Sequence, residues 1–283
     1  MKRFNVFRWV VVVLALAALS PAQTLAQTQA HPFNVLNQRT IALTAEYWNP
    51  ILTYVSKKSG VPLQLKLAKN AREGNLIAEK GGYDFLYTNH FFTPERDGLG
   101  FHVIARFVGA GLQSQIIVPS DSPIRTLQEL EGKEVGFVSR DGFTGYYVPY
   151  DALLRAKVNV KLAITGNQEA SVAQLKVGKI AAAGVNGLIL ERYARREGFA
   201  YRALWTSPLY GDLCIMAHQR VPAEKVAAVK AAFLGMDSDP EGHKVLVAAA
   251  ALTKARKLAF ESASDRDYDS YREFYKTTLV KSK

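Results

Sequence analysis

The sequence predicts an α/β fold made of two similar lobes, on three observations. Strand and helix patterns alternate along the chain, which is typical of sheets covered by helices. The segments LIAEKGGYDFLYTNH and LKVGKIAAAGVNGLI repeat one order of helix, glycine and strand. Their glycines, Gly82 and Gly178, lie about 96 positions apart, as do Tyr47 and Phe143. A chance match within a generic alternation is the alternative, but the roughly 257 residues after residue 26 suit two lobes or one large domain.

Strand and helix patterns alternate through the first half of the chain. The expected strands are TIALTA at 40–45, LQLKLA at 63–68, YDFLYT at 83–88 and HVIARFV at 102–108. The expected helices are residues 48–58, which Gly60 terminates, and AREGNLIAEKGG at 71–82. Strands separated by helices in this way predict a largely parallel sheet with helices on both faces.

The second half repeats the pattern around a glycine-bearing loop. A strand in SQIIVP stops at Pro119, and a short apolar strand follows at 135–138. Residues 139–145 form a polar turn, and residues 146–156 form an amphipathic helix. Strand, small-residue loop and helix present backbone N–H groups to a ligand, and the N-terminus of a helix favours negative charge. This loop is therefore a candidate anion site.

The first 26 residues have the pattern of a secretory signal peptide. A basic start with Lys2 and Arg3 precedes an apolar run at 9–19, and Thr24 and Ala26 occupy the small-residue positions before a cleavage site. We expect cleavage after Ala26 and export to the periplasm; an uncleaved N-terminal anchor is the alternative. No cysteine lies near this site, which excludes a lipoprotein anchor.

Composition narrows the class of partner. The formal net charge is +11, but lysines and arginines are scattered among acidic residues, which indicates a basic soluble surface rather than a nucleic-acid interface. Cys214 is the single cysteine, so the exported fold has no disulfides. It lies in the apolar segment DLCIMA, where a buried inert thiol is expected.

Four loops are expected to meet at a cleft. In open α/β sheets the ligand lies outside the carboxyl ends of the strands, near helix N-termini. The corresponding segments are 44–48 and 87–90 in the first lobe, and 139–146 and 186–187 in the second. A ligand held between the lobes would be enclosed by a hinge motion.

Three longer segments carry a resemblance to a known family. They are SPIRTLQELEGKEVGFVSRDGFTGYYVPYDALL, GNQEASVAQLKVGKIAAAGVN and VPAEKVAAVKAAFLGMDSDPEGHKVL. In this order and spacing the chain resembles the phosphate/phosphite/phosphonate-binding proteins of ABC importers. The resemblance implies a type 2 periplasmic-binding fold, with two α/β lobes joined by crossover strands near 113–118 and 213–217.

The resemblance also implies an organisation and a function. Lobe 1 would comprise 27–115 and the returning helices of 214–283, and lobe 2 would comprise 116–213. The protein would be a monomeric periplasmic receptor that captures a phosphonate-, phosphite- or phosphate-like oxyanion and delivers it to an ABC permease. It would not be an enzyme and would need no cofactor.

The chain departs from the family pattern at the loop that holds the anion. The family carries a Ser-Thr-Ser-Gly run there. The aligned residues are Gly142, Phe143, Thr144 and Gly145. Gln168 replaces a family histidine, and Asn186 replaces an acidic residue at a later strand end. Backbone N–H donors survive these changes, whereas most of the hydroxyl contacts do not.

The residues expected to contact the ligand are Tyr47, Tyr87, Thr88, Asn89, His90, Gly142, Phe143, Thr144, Gly145, Tyr146 and Asn186. We expect no metal, because no second His, Cys or acidic group lies at ligand spacing from His90. DSDPEG at 237–242 begins like a calcium loop, but Ala248 stands where the bidentate acid is needed.

Three alternatives to the importer receptor stay open. The protein could be a periplasmic ligand-sensing subunit of a membrane kinase, or a receptor for another small organic solute. A secreted enzyme that uses His90 or Asp141 as a base is a third alternative, although no second catalytic group has a recognisable spacing.

Overall fold

Two β-sheets organise the chain. The structure is a computed structural model that describes residues 29–36, 40–253 and 257–281. The strands are β1 (His31–Val35), β2 (Leu63–Leu65), β3 (Phe85–Thr88), β4 (Phe101–Phe107), β5 (Ser114–Pro119), β6 (Glu134–Phe137), β7 (Lys161–Ile164), β8 (Ala182–Asn186), β9 (Tyr201–Thr206), β10 (Cys214–His218) and β11 (Phe260–Ser262). The helices are α1 (Ile41–Ser59), α2 (Ala71–Glu79), α3 (Val148–Arg155), α4 (Gln168–Lys176), α5 (Gly187–Glu197), α6 (Ala223–Leu234), α7 (Pro240–Thr253) and α8 (Asp269–Thr277).

Each sheet is the centre of one lobe. The sheet of lobe 1 has the order β11-β4-β10-β3-β1-β2, and the sheet of lobe 2 has the order β7-β6-β8-β5-β9. In the described part of the chain, β1 pairs in parallel with β2 and with β3, and β6 pairs in parallel with β7 and with β8. Both sheets are therefore mixed, and the prediction of a largely parallel sheet is wrong, because β10 in lobe 1 and β5 in lobe 2 are antiparallel to their neighbours.

The expected strand at 40–45 is also wrong. Thr40 caps α1 instead, because its hydroxyl oxygen accepts a hydrogen bond from the N–H of Leu43 at 3.3 Å. The buried residues Thr44, Trp48 and Ile51 recur at helical spacing, so this helix packs one face on the sheet. The first strand is β1, which the sequence pattern did not reveal.

Aromatic and aliphatic side chains fill the two cores. In lobe 1 the ring of Phe33 on β1 lies between Trp48 of α1 and Phe233 of α6, with ring centroids 5.7 and 6.3 Å apart. In lobe 2, Leu153 of α3 and Leu190 of α5 cover opposite faces of the sheet. Full burial of such a side chain contributes about 1.5–3 kcal/mol to stability.

The two segments that join the lobes pair with each other. The N–H of Leu112 donates to the carbonyl of Tyr210 at 2.7 Å, and the N–H of Tyr210 donates back at 2.9 Å. Gly111 has a φ of +90°, and a Cβ atom there would lie 2.4 Å from the same carbonyl oxygen. The chain thus crosses between lobes at residues 108–113 and 207–213. The expected crossover positions at 113–118 and 213–217 fall largely inside β5 and β10, each of which belongs to one sheet.

No helix among residues 29–36, 40–253 and 257–281 is long and apolar enough to span a membrane. The expected signal peptide at 1–26 lies outside the described residues.

Candidate functional site

The loop after β6 opens directly into a helix. Residues Phe143–Tyr147 form a π-helical turn that continues into α3. A Cβ atom on Gly145 would lie 2.5 Å from Cγ2 of Val138, so only glycine lets the turn approach the strand this closely. The first N–H groups of such a turn have no partner within the helix, and they carry partial positive charge. The loop therefore has the geometry of an anion site.

Thr144 and Asn186 meet at the carboxyl ends of the lobe 2 strands. Nδ2 of Asn186 lies 3.5 Å from the hydroxyl oxygen of Thr144, and both side chains are buried. Oδ1 of Asn186 caps α5, because it accepts hydrogen bonds from the N–H groups of Leu188 and Ile189. Its own N–H donates to Oε1 of Gln168, the first residue of α4, at 2.9 Å. Three helix N-termini thus converge on this pair.

Ser114 supports the same loop, although sequence reasoning did not single it out. Its hydroxyl donates to the carbonyl of Thr144 at 2.8 Å, and the residue is fully buried. A lone serine at the start of a strand carries no pattern that would point to this role. The contact depends on β5 lying beside β8, which is a property of the folded sheet.

Phe143 is the residue whose surroundings differ most from expectation. It is 2% exposed, and its ring stacks on Tyr271 with centroids 4.1 Å apart. Tyr210, Phe274 and Tyr275 surround the same ring at 4.8–5.7 Å. We call these five residues the aromatic cluster. Three of them belong to α8, so the terminal helix lies against the candidate anion loop.

The sequence contains a pattern that indicates α8. Tyr271, Phe274 and Tyr275 recur at spacings of three and four, which is typical of one buried helix face. Tyr271 is fully buried, and burial raises its pKa well above the usual value. Its hydroxyl therefore keeps a proton and donates to the carbonyl of Gly211 at 2.6 Å.

The lobe 1 candidates at the end of β3 are all buried. Nδ2 of Asn89 donates to the hydroxyl of Tyr271 at 3.1 Å, which joins this strand end to the aromatic cluster. The N–H of His90 donates to the hydroxyl oxygen of Thr88 at 3.1 Å. Tyr87 packs on Trp48, with ring centroids 4.7 Å apart. Asn89 thus contacts a side chain of the aromatic cluster directly.

A small cavity with a few polar groups in a mainly apolar lining lies beside this strand end. It has a volume of about 10 Å³ and is lined by residues of β1, β3 and α2, among them Asn34, Asn75 and Thr88. Oδ1 of Asn34 is buried without a hydrogen-bond partner. Nδ2 of Asn75 lies 3.2 Å from Nδ1 of His90. The space suits one water molecule that would satisfy Asn34.

Two candidates lie elsewhere. Tyr47 lies within α1 and not at a strand end. Its ring packs against Trp48 and Phe107. Its expected position depended on the strand at 40–45, which is a helix. Tyr146 packs on Phe137 in the core of lobe 2, with ring centroids 5.6 Å apart. Helical geometry turns it away from its neighbour Thr144.

Burial of His90 should make stability depend on pH. Burial lowers its pKa to about 3, with a smaller contribution from the charge of Arg96. In the unfolded chain the pKa is about 6.5. The neutral form is thus favoured in the fold, so this contribution is complete above pH 6.5 and is lost as the pH falls towards 3. We expect a loss of about 2 kcal/mol between pH 7.0 and 5.0, because the slope approaches about 1.4 kcal/mol per pH unit below pH 6.5.

Urea unfolding at pH 7.0, 6.0 and 5.0 measures this loss. The variant His90→Gln keeps a polar side chain that does not titrate, so its stability should fall by about 2 kcal/mol less over the same range. Equal pH dependence in the two proteins would contradict the prediction.

Among residues 29–36, 40–253 and 257–281, no three His, Cys, Asp or Glu side chains are grouped as metal ligands. Cys214 is fully buried, and burial raises the pKa of its thiol. A buried thiol of this kind is chemically inert.

The chain has clear relatives in sequence and structure. A family model for the periplasmic phosphonate substrate-binding protein of ABC transporters matches residues 33–268. A binding component of an ABC phosphonate transporter from Pseudomonas aeruginosa is 18% identical, with a TM-score of 0.71 over 87% of this chain and 85% of that one. A search of curated proteins found no match.

Two further solved structures share the fold. A protein from Prochlorococcus marinus in complex with methylphosphonate is 16% identical, with a TM-score of 0.71 over 87% of this chain and 97% of that one. A protein from Xanthomonas citri bound to ATP is 15% identical, with a TM-score of 0.70 over the same shares.

Proposed function

This chain belongs to the periplasmic phosphonate-binding family of ABC transporters, and we propose that it holds a small oxyanion at the Thr144–Asn186 pair. It has the two-lobed type 2 periplasmic-binding fold, and its family serves ABC importers as solute-binding receptors. The oxyanion is of the phosphonate, phosphite or phosphate type, and lobe closure encloses it.

One observation carries this proposal. The N-terminal ends of the Phe143–Tyr147 turn, α4 and α5 converge on Thr144 and Asn186. The Phe143–Tyr147 turn presents N–H donors, and all three N-termini carry partial positive charge, so together they stabilise an anion without a lysine or arginine. A binding site without a charged side chain of this kind suits reversible binding and release of the anion.

The same arrangement supports binding rather than turnover. The hydroxyl of Thr144 has the amide of Asn186 beside it, and an amide is not a base that could activate a nucleophile. The family is one of transport proteins. We therefore infer a receptor without catalytic residues or cofactor, monomeric and periplasmic once residues 1–26 are removed. Its lobes comprise 27–115 with 214–283, and 116–213.

Phe143 favours a second candidate ligand. It places a buried ring next to Thr144, where the resemblance implies a hydroxyl side chain. The ring is covered by the rest of the aromatic cluster, so an organic substituent would reach this apolar surface when α8 moves away from the loop. The fold accommodates phosphate-bearing organic molecules, as the ATP complex of the Xanthomonas citri protein illustrates. An organic phosphonate, with its anionic head at Thr144 and its substituent at the aromatic cluster, is the second candidate.

A thermal-shift screen tests both candidates. Methylphosphonate, phenylphosphonate, phosphite, phosphate, sulfate and acetate are added to the mature protein. A ligand at 100 times its Kd stabilises the folded state by about 2.7 kcal/mol, which raises the Tm by roughly 5–10 °C in a protein of this size.

Thr144→Ala removes the one hydroxyl side chain of the loop 142–145. We expect at least roughly a tenfold loss of affinity, since a hydrogen bond to a charged group contributes about 1.5–3 kcal/mol. Thr126→Ala removes an exposed hydroxyl from the same lobe and should bind normally. Wild-type affinity in Thr144→Ala, or no shift with any oxyanion, would overturn the proposed site.

A further inference from the structure

Residues 269–281 connect the lobes for a third time. This segment, which we call the strap, consists of α8 and the tail 278–281. It begins on lobe 1, where Tyr268 stacks on Phe92 with centroids 4.7 Å apart. Nε of Arg272 on α8 donates to both carboxylate oxygens of Asp97, at 2.8 and 2.9 Å. These contacts fix the start of the strap to lobe 1.

The tail of the strap is bound to lobe 2 through Asp151 of α3. Oδ1 of Asp151 accepts hydrogen bonds from the hydroxyl of Thr278 at 2.8 Å and the N–H of Leu279 at 2.7 Å. Val280 follows and is buried in the core of lobe 2. A buried carboxylate is unfavourable unless hydrogen bonds satisfy it. Asp151 is 5% exposed, so its position is explained by the tail it holds.

Arg155 completes this anchor. Its Nε donates to Oδ2 of Asp151 at 2.6 Å, and its Nη2 donates to the carbonyl of Thr277 at 2.6 Å. Two groups of α3 thus bind three consecutive residues of the strap, 277–279. Charge-assisted hydrogen bonds of this length are among the stronger ones in proteins.

The strap also contacts the candidate ligand loop. Tyr271 stacks on Phe143, and Tyr275 lies 5.3 Å from the ring of Tyr147 at the other end of the π-helical turn. A cavity of about 480 Å³ separates part of α8 from α3, with Trp205 in its lining. The strap therefore touches lobe 2 at the loop and at the anchor, with open space between these two contacts.

We propose that the strap is a latch between the lobes and that Asp151 is its positioning residue. The two crossing segments at 108–113 and 207–213 form the hinge, and a third connection outside the hinge limits how far the lobes open. Release of residues 277–279 from Asp151 and Arg155 then frees both the lobes and the loop that carries Phe143. The proposal rests on the proposed function, since a receptor must open to admit its ligand.

Pulsed electron resonance on the ligand-free protein tests the latch. Spin labels are attached through Leu76→Cys on α2 of lobe 1 and Leu188→Cys on α5 of lobe 2, both at exposed positions. Cys214 is fully buried and does not react. The wild-type strap should give one narrow distance distribution. Asp151→Ala should broaden it and lengthen its mean, with roughly a tenfold or greater rise in the open population.

Two further variants keep the test decisive. Deletion of residues 278–283 removes the tail and retains Asp151, so it should give the same broad distribution even where Asp151→Ala fails to fold. Asp121→Ala removes an exposed aspartate of lobe 2 and should leave the distribution narrow. A narrow wild-type distribution in the deletion variant overturns the latch.

A kinetic measurement separates the latch from a purely structural role. Association of methylphosphonate should be several-fold faster in the deletion variant, because opening no longer requires release of the tail. Failure of the wild-type protein to bind methylphosphonate, with the electron-resonance result as expected, would overturn the proposed ligand and leave the latch in place. An unchanged association rate together with a broad distribution would show that opening does not control ligand entry, which contradicts the latch.

Discussion

Replacement of Phe143 by alanine is expected to lower the free energy of unfolding by about 3–5 kcal/mol. The ring is 2% exposed and has four aromatic neighbours from the hinge and α8. Its loss removes apolar burial and leaves a cavity that the surrounding rings fill only in part. The loss should appear as a lower midpoint in urea unfolding with an unchanged m-value.

Two companion variants sharpen this result. Phe199→Ala removes a ring that is only half-buried in lobe 2, so its cost should be clearly smaller. A double-mutant cycle of Phe143→Ala with Tyr271→Ala should give a coupling energy of at least about 0.5–1.5 kcal/mol, because the two rings stack. A change of less than about 1 kcal/mol in Phe143→Ala would contradict the closed packing of the loop against α8.

Asn186→Ala is expected to cost about 2–4 kcal/mol and to abolish oxyanion binding. The amide caps α5 and lies beside Thr144, so alanine leaves two helix N–H groups and a buried hydroxyl without this partner. Loss of a cap costs about 0.5–2 kcal/mol, and a buried unsatisfied polar group about 1–3 kcal/mol. Urea unfolding and titration with the oxyanion of largest thermal shift measure the two effects.

A matched control lies in the same lobe. Asn167 caps α4 through a 2.8 Å bond to the N–H of Ala170, and it is exposed. Asn167→Ala should therefore cost about 1 kcal/mol and leave the affinity unchanged. Asn186→Asp keeps the cap, because a carboxylate oxygen also accepts from the helix N–H groups, and it restores the acidic residue that the resemblance implies at this strand end, so this variant should stay folded. Undiminished binding in Asn186→Ala would place the anion elsewhere.

Much of the fold could be predicted from local patterns. The helix at 71–79 and the strands around 85, 101 and 114 follow from runs of apolar residues between glycines and prolines. The strand, glycine-bearing turn and helix around residues 134–155 also follow from the local pattern, and the anion site there stays a prediction. The family resemblance is confirmed by the match over residues 33–268.

The start of lobe 1 could not be predicted in this way. TIALTA has the alternation of a strand, yet it lies in a helix whose buried face includes Thr44 and Trp48, while the apolar residues Ile41 and Leu43 are exposed. Helical and strand periods are hard to distinguish over six residues, so the packing of α1 on the sheet decides between them.

Local sequence thus defines which segments are strands and helices in most of this chain, and which loop has the backbone geometry for an anion. The surroundings of that loop depend on contacts between residues far apart in sequence. Thr144 meets Asn186 because their strands are neighbours in one sheet, and Phe143 meets Tyr271 because the strap returns across both lobes. Such contacts form only when the chain folds as a whole, since they depend on the three-dimensional arrangement of the sheets and not on any local period.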